Sequence, residues 1–114
     1  MDHRLQVGID FSQKRADFCL LFPDGRPLES HIAVDNSSPG YGLAKQLLLD
    51  ALDSYSFDGV DVSGEATGYL WLPFFLQLAA DPELELHDLK LYLLNPRWVK
   101  WFKKCFAQDQ KTDE

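Results

Sequence analysis

Three carboxylates stand where chain segments end. Asp10 closes Leu5-Gln6-Val7-Gly8-Ile9-Asp10, and Glu65 follows 55 residues later in Val62-Ser63-Gly64-Glu65-Ala66-Thr67-Gly68. Asp113 sits in Lys111-Thr112-Asp113, near the end of the 114 residues. Acids at the mouths of separate strands are a means of building a pocket for a hard divalent cation. Mg²⁺ takes oxygen ligands, commonly one or two carboxylates, with water and substrate phosphate completing the set. Asp10, Glu65 and Asp113 are therefore the candidate catalytic acids and the candidate ligands of Mg²⁺ or Mn²⁺.

Other site chemistries find no support in the spacing. His3, His31 and His87 fall at strand edges or in loops and are not spaced for zinc or for a catalytic triad, so they read as surface residues. Ser12 has no histidine near it and reads as a turn residue bonding its own backbone. Cys19 and Cys105 fall in different elements without metal-type spacing, which reads as two reduced, buried thiols.

The elements that must position the acids follow from periodicity. Leu5, Val7 and Ile9 alternate with Gln6, Gly8 and Asp10, which gives a strand and puts Asp10 opposite the aliphatic row, beside the small Gly8. A second strand is expected over 16–22, a turn at Pro23-Asp24-Gly25-Arg26, and a third strand over 28–34, which together make an antiparallel meander. Asn36-Ser37-Ser38-Pro39-Gly40 offers several helix caps. Leu43, Leu47, Leu48 and Ala51 then recur at helical spacing over 41–55. A fourth strand is expected over 57–64. A helix capped by Thr67 should run to about residue 80, kinked at Pro73 or with its regular part beginning there, and ended by Asp81-Pro82. The fifth strand, 89–94, is apolar on both faces and is expected to be central in the sheet. Asn95-Pro96 opens a last helix with Trp98, Trp101, Phe102 and Cys105 as its apolar stripe. The order is β-β-β-α-β-α-β-α, with five strands in a mixed sheet. The aromatic group Tyr69, Trp71, Phe74 and Phe75 reads as core, with room for one or two to stay exposed.

Composition sets limits. The length fits one domain, and 46% apolar residues suffice for one core. Met1-Asp2-His3-Arg4 runs directly into a strand pattern, so no secretory leader is read and a cytoplasmic location is expected. The apolar stretch over 69–80 is too short to span a bilayer. Net charge is −7, which argues against a simple nucleic-acid binder. Its distribution matters more: residues 1–94 hold 15 acids and 6 bases, whereas residues 95–114 hold 5 bases and 3 acids. Arg97, Lys100 and Lys104 share a helical face at spacings of three and four, and are the candidate nucleic-acid contacts.

The element order, with acids gathered at strand ends, is that of the ribonuclease-H-like fold. Locally the chain resembles the amino-terminal, RuvC-like domain of the DEDD-type insertion-sequence transposases, the group that includes Piv-like DNA invertases and bridge-RNA-guided recombinases. Four stretches carry the likeness: Val7-Gly8-Ile9-Asp10-Phe11-Ser12, Gly64-Glu65-Ala66-Thr67-Gly68-Tyr69, Asn95-Pro96 with Val99-Lys100 and Phe102, and Lys111-Thr112-Asp113. They are in the family's order and span nearly the whole chain. The likeness implies a domain over 1–106, a polar tail over 107–114, and more protein beyond. That remainder would carry a fourth acid three residues after Asp113 and a second domain with a nucleophilic serine. It implies metal-dependent DNA strand cleavage and transfer in the full-length protein, with this chain inactive alone. It further implies DNA as partner, a structured guide RNA in many members, and a homo-oligomer. Gln13 departs from the pattern, since many relatives carry lysine directly after the serine; here Lys14 comes one place later.

Two rivals belong to other classes. A sugar-kinase or actin-like ATP-binding half-domain shares the fold and the Gly-x-Asp strand end, but wants a glycine shortly after the aspartate, where Phe11-Ser12 stands. A non-catalytic interaction module would use the acids only for solubility.

Overall fold

The computed structural model describes residues 3–66 and 68–94. Three antiparallel strands come first: β1 (Arg4–Phe11), β2 (Arg15–Leu21) and β3 (Pro27–Asp35). In the first turn the Ser12 hydroxyl accepts the Arg15 N–H and donates to the Arg15 carbonyl, both at 3.1 Å, which is the turn role its sequence context suggests. In the second, Gly25 N–H donates to the Phe22 carbonyl. The chain then enters α1 (Ser38–Tyr55) and returns as β4 (Gly59–Glu65), parallel to β1. It continues through α2 (Leu72–Ala79) and the single turn α3 (Pro82–Glu85) into β5 (Leu89–Leu94), parallel to β4. The sheet order is β3-β2-β1-β4-β5.

Strand alternation sorts the side chains. Leu5, Val7, Ile9, Ala16, Phe18, Leu20, Val60 and Val62 are buried on one face, where α1 and α2 supply Tyr41, Ala44, Leu48, Leu52, Phe74, Phe75 and Leu78. Each such Val, Leu or Phe contributes about 1.5–3 kcal/mol by leaving water. Phe74 sits at the centre, its ring 5.8, 5.9 and 5.6 Å from those of Phe11, Phe18 and Tyr41. Among the described residues no helix is long and apolar enough to cross a membrane.

α2 begins at Leu72 with Pro73 in its first turn, the second of the two arrangements expected, because proline's missing N–H is harmless there and costly inside a helix. Other expectations need correction. Asp81-Pro82 does not simply end the helical segment. Asp81 caps α3, its carboxylate accepting the Glu83 and Leu84 N–H groups. The buried stripe of α1 is Tyr41, Ala44, Leu48, Ala51 and Leu52; Leu43 and Leu47 are exposed, so the helix is rotated from the face its leucines advertise. Among the described residues β5 lies at the sheet edge rather than in the middle. An apolar strand reports cover over its faces, not neighbours on both sides, and here Tyr92, Leu93 and Leu94 remain more than 40% exposed. Cys19 is half-buried and free. The aromatic group is as expected, with Phe74 and Phe75 in the core and Tyr69 exposed. The last helix, with Trp98, Trp101, Phe102 and Cys105, lies outside the described residues.

Candidate metal centre

β1 and β4 run side by side in parallel, with Gly8 aligned to Ser63 and Ile9 to Gly64. Asp10 and Glu65 are each one step further along, so both leave the sheet on the face opposite the helices, at the carboxyl ends of adjacent strands. Asp10 is exposed and Glu65 half-buried. Space above Gly8 is open, with no atom within 4 Å of where a β-carbon would stand. Gly64 is the opposite case. A β-carbon there would press on the Phe11 and Phe75 rings at 3.0 Å, so glycine lets β4 lie tight on the core immediately before its acid.

The same row of the sheet holds a third carboxylate. Asp17 on β2 is the cross-strand partner of Asp10, and the Arg15 guanidinium holds it at 2.9 Å. Like charges placed opposite one another repel, and Arg15 offsets that repulsion. The carboxylates of Asp10 and Glu65 form no hydrogen bond or ion pair with any described residue. No group of three His, Cys, Asp or Glu converges among the described residues. The pair therefore offers two unengaged carboxylates facing solvent, which fits a hard cation whose remaining positions go to water and phosphate oxygen. Asp113, the third expected ligand, and the basic residues Arg97, Lys100 and Lys104 lie outside the described residues.

The amino-terminal end of the same strand pair is built very differently. Arg4 is buried at 8% exposure. Its Nε donates to Asp61 at 2.9 Å, Nη1 to Asp88 at 2.6 Å, and Nη2 to the Val60 and Asp88 carbonyls. Gln6 donates to the other oxygen of Asp61 at 2.8 Å. Burial works to raise the Asp61 carboxyl, but hydrogen bonds from Arg4 and Gln6 outweigh it and hold that group below the usual carboxylate range. A second network joins α1 to α3: Tyr41 donates to Asp81 at 2.7 Å, and Lys45 bridges Asp81 and Glu83. Burial, then the Asp81 hydrogen bond, raise the Tyr41 phenol far above its ordinary value. In both networks the buried charges are paired within the fold.

Sequence reasoning passes over Arg4, Asp61, Asp88 and the Tyr41–Asp81 pair, since partners 40 to 84 residues apart carry no local signal. It also passes over Asp17, although the short hairpin from Asp10 fixes that register.

No protein-family model matches the chain, and no curated protein matches it. Among solved structures it is similar to RuvC of T. thermophilus in complex with a Holliday junction substrate. Identity is 18% and the TM-score 0.52, over 87% of this chain and 69% of that one. An Aquifex aeolicus member of the Ppx/GppA family aligns at 10% identity and a TM-score of 0.40, over 82% of this chain and 35% of that one. The chain has the RuvC-like, ribonuclease-H-like fold.

Proposed function

We propose that this chain is a divalent-metal-dependent, nucleic-acid-cleaving domain, and that in its full-length context it serves a DNA transposase or recombinase of the DEDD type. The observation that carries the reading is the shared row and face of Asp10 and Glu65 on the adjacent strands β1 and β4. The fold is that of a protein solved with a branched DNA substrate, and the four family-like stretches supply the transposase assignment. Asp10 and Glu65, with Asp113, would hold the cation. A bound Mg²⁺ or Mn²⁺ supplies charge stabilisation at the phosphate and a more acidic attacking water. The chain's own residues hold that position open: Gly8 leaves room above the sheet, Gly64 seats β4 on the core, and Arg15 offsets the neighbouring Asp17. DNA is the expected partner, with Arg97, Lys100 and Lys104 on its backbone. A structured guide RNA, a further carboxy-terminal domain and a homo-oligomer follow from the family likeness.

Calorimetric titration with Mn²⁺ tests the reading. Asp10→Asn and Glu65→Gln should each weaken binding at least tenfold while the chain stays folded; wild-type affinity in either variant would refute it. The ATP-binding alternative loses ground at Phe11. Its ring packs edge-on against Phe74 and Phe75, so the place where a phosphate-gripping turn wants glycine is occupied by an aromatic packed against the core. ATP with Mg²⁺ should leave the melting temperature unchanged.

A further inference from the structure

The ladder between β1 and β4 ends at Ile9 and Gly64. Past that point Asp10 and Phe11 pair with β2, whereas Glu65 pairs with Leu94 and Ala66 N–H donates to the Leu94 carbonyl. The two acid-bearing strand ends are thus bonded away from each other, and the parallel pairing stops one residue short of both carboxylates.

Asn36 spans the divide. Its Nδ2 donates to the Ser12 carbonyl at 3.0 Å, two residues beyond Asp10, and to the Leu70 carbonyl at 3.1 Å, five residues beyond Glu65. One amide therefore ties the turn that follows the first acid to the loop that follows the second. Only the NH₂ end can face two carbonyls, which fixes how the amide is turned. Asn36 is itself held firmly. Its N–H donates to the Lys14 carbonyl at 2.9 Å, and the next residue, Ser37, caps α1 by accepting the Gly40 N–H at 3.2 Å. Gly40 lies so close to the Asp35 carbonyl that a β-carbon would collide with it, which locks the helix start against the end of β3. The remaining atom of the amide, Oδ1, is buried and has no partner among the described residues. A buried acceptor without a donor opposes folding and offsets part of what the two Nδ2 bonds contribute.

The geometry assigns Asn36 as a positioning residue that sets the separation of the Asp10 and Glu65 carboxylates; the assignment rests on the metal-binding reading above. Residues that orient metal ligands from behind typically change affinity by about 10- to 100-fold when replaced.

The experiment is Mn²⁺ titration of five proteins, read by calorimetry and by the electron paramagnetic resonance of free Mn²⁺, with a melting curve for each. Asn36→Asp keeps the shape but turns a carboxylate on the two carbonyls, and should weaken Mn²⁺ binding about tenfold or more. Asn36→Thr keeps one donor, should fold, and should lose less. Ser37→Ala removes the helix cap but spares both Asn36 bonds, and should melt lower while binding Mn²⁺ like the unaltered chain. Asp10→Asn separates the two ideas. If it abolishes binding while both Asn36 variants bind normally, the positioning role is wrong and the metal site stands. If Asp10→Asn binds normally, the metal site falls and takes Asn36's role with it. Equal weakening in Ser37→Ala and the Asn36 variants would reduce Asn36 to a contributor to stability and overturn the assignment.

Discussion

Asp10 and Glu65 share a face because both follow an aligned pair, Ile9 and Gly64, by one residue. Side chains alternate along a strand, so a slip of one residue would send one acid into the core. Arg4 shows the contrasting use of charge, with its guanidinium enclosed by Asp61, Asp88 and two carbonyls. Arg4→Ala would leave the partly buried Asp61 without its guanidinium partner, held only by Gln6, and should destabilise the chain by about 3 kcal/mol in urea unfolding. Gly59→Ala should also destabilise, because a β-carbon there collides with the Arg4 guanidinium, which its acceptors prevent from moving aside. Neither effect is legible in the sequence, where Arg4 is one base near the start of the chain. Asp10 is legible, because the alternation of Leu5, Val7 and Ile9 fixes its face without any knowledge of partners.

At the level of elements, α1 begins where Ser37 accepts the Gly40 N–H. Ser37→Ala should cost about 1 kcal/mol, measured by thermal or urea unfolding. The meander, α1 and the alternating order of β4 and β5 can all be read from local periodicity and turn residues. What cannot be read is which leucines α1 buries. Leu43 and Leu47 compete with Tyr41, Ala44 and Leu52 for the inner face, and the small Ala44 is buried where the two leucines are not. The turn α3 is hidden too, since Asp81-Pro82 ends one helix and starts another with the same two residues. In sequence Asn36 is one of several possible caps; its hydrogen bonds to Ser12 and Leu70, 24 and 34 residues away, depend on the closed fold.

Across the whole molecule the two ends of the β1–β4 pair do different work: one is sealed by the Arg4 network, the other carries two unengaged acids. Asp61 and Asp81 are both held below the ordinary carboxylate range. For each, burial opposes the shift and hydrogen bonds prevail: Arg4 and Gln6 on Asp61, and Tyr41, Lys45 and backbone amides on Asp81. Groups depressed in the folded state add stability above their unfolded value, and lose it as pH falls through the folded one. Denaturation midpoints should therefore hold steady near neutrality and decline below about pH 4. Asp61→Asn should flatten part of that decline. Under the proposed function the acidic body also bears on DNA, because the bases of residues 95–114 would work against it. Replacing Arg97, Lys100 and Lys104 with glutamine should weaken DNA binding and make its salt dependence shallower, by about 0.9 in slope for each phosphate no longer neutralised.

β1 meets β2 across a short hairpin but pairs with β4 only at residues 55 positions further along. Pairings between sequence neighbours form early in a refolding chain, whereas closing a long loop exacts more entropy and comes later. The first acid is therefore in place on a finished hairpin well before the second arrives, and the capacity to capture an ion should emerge in the slowest phase of refolding, after most of the strand signal has already developed.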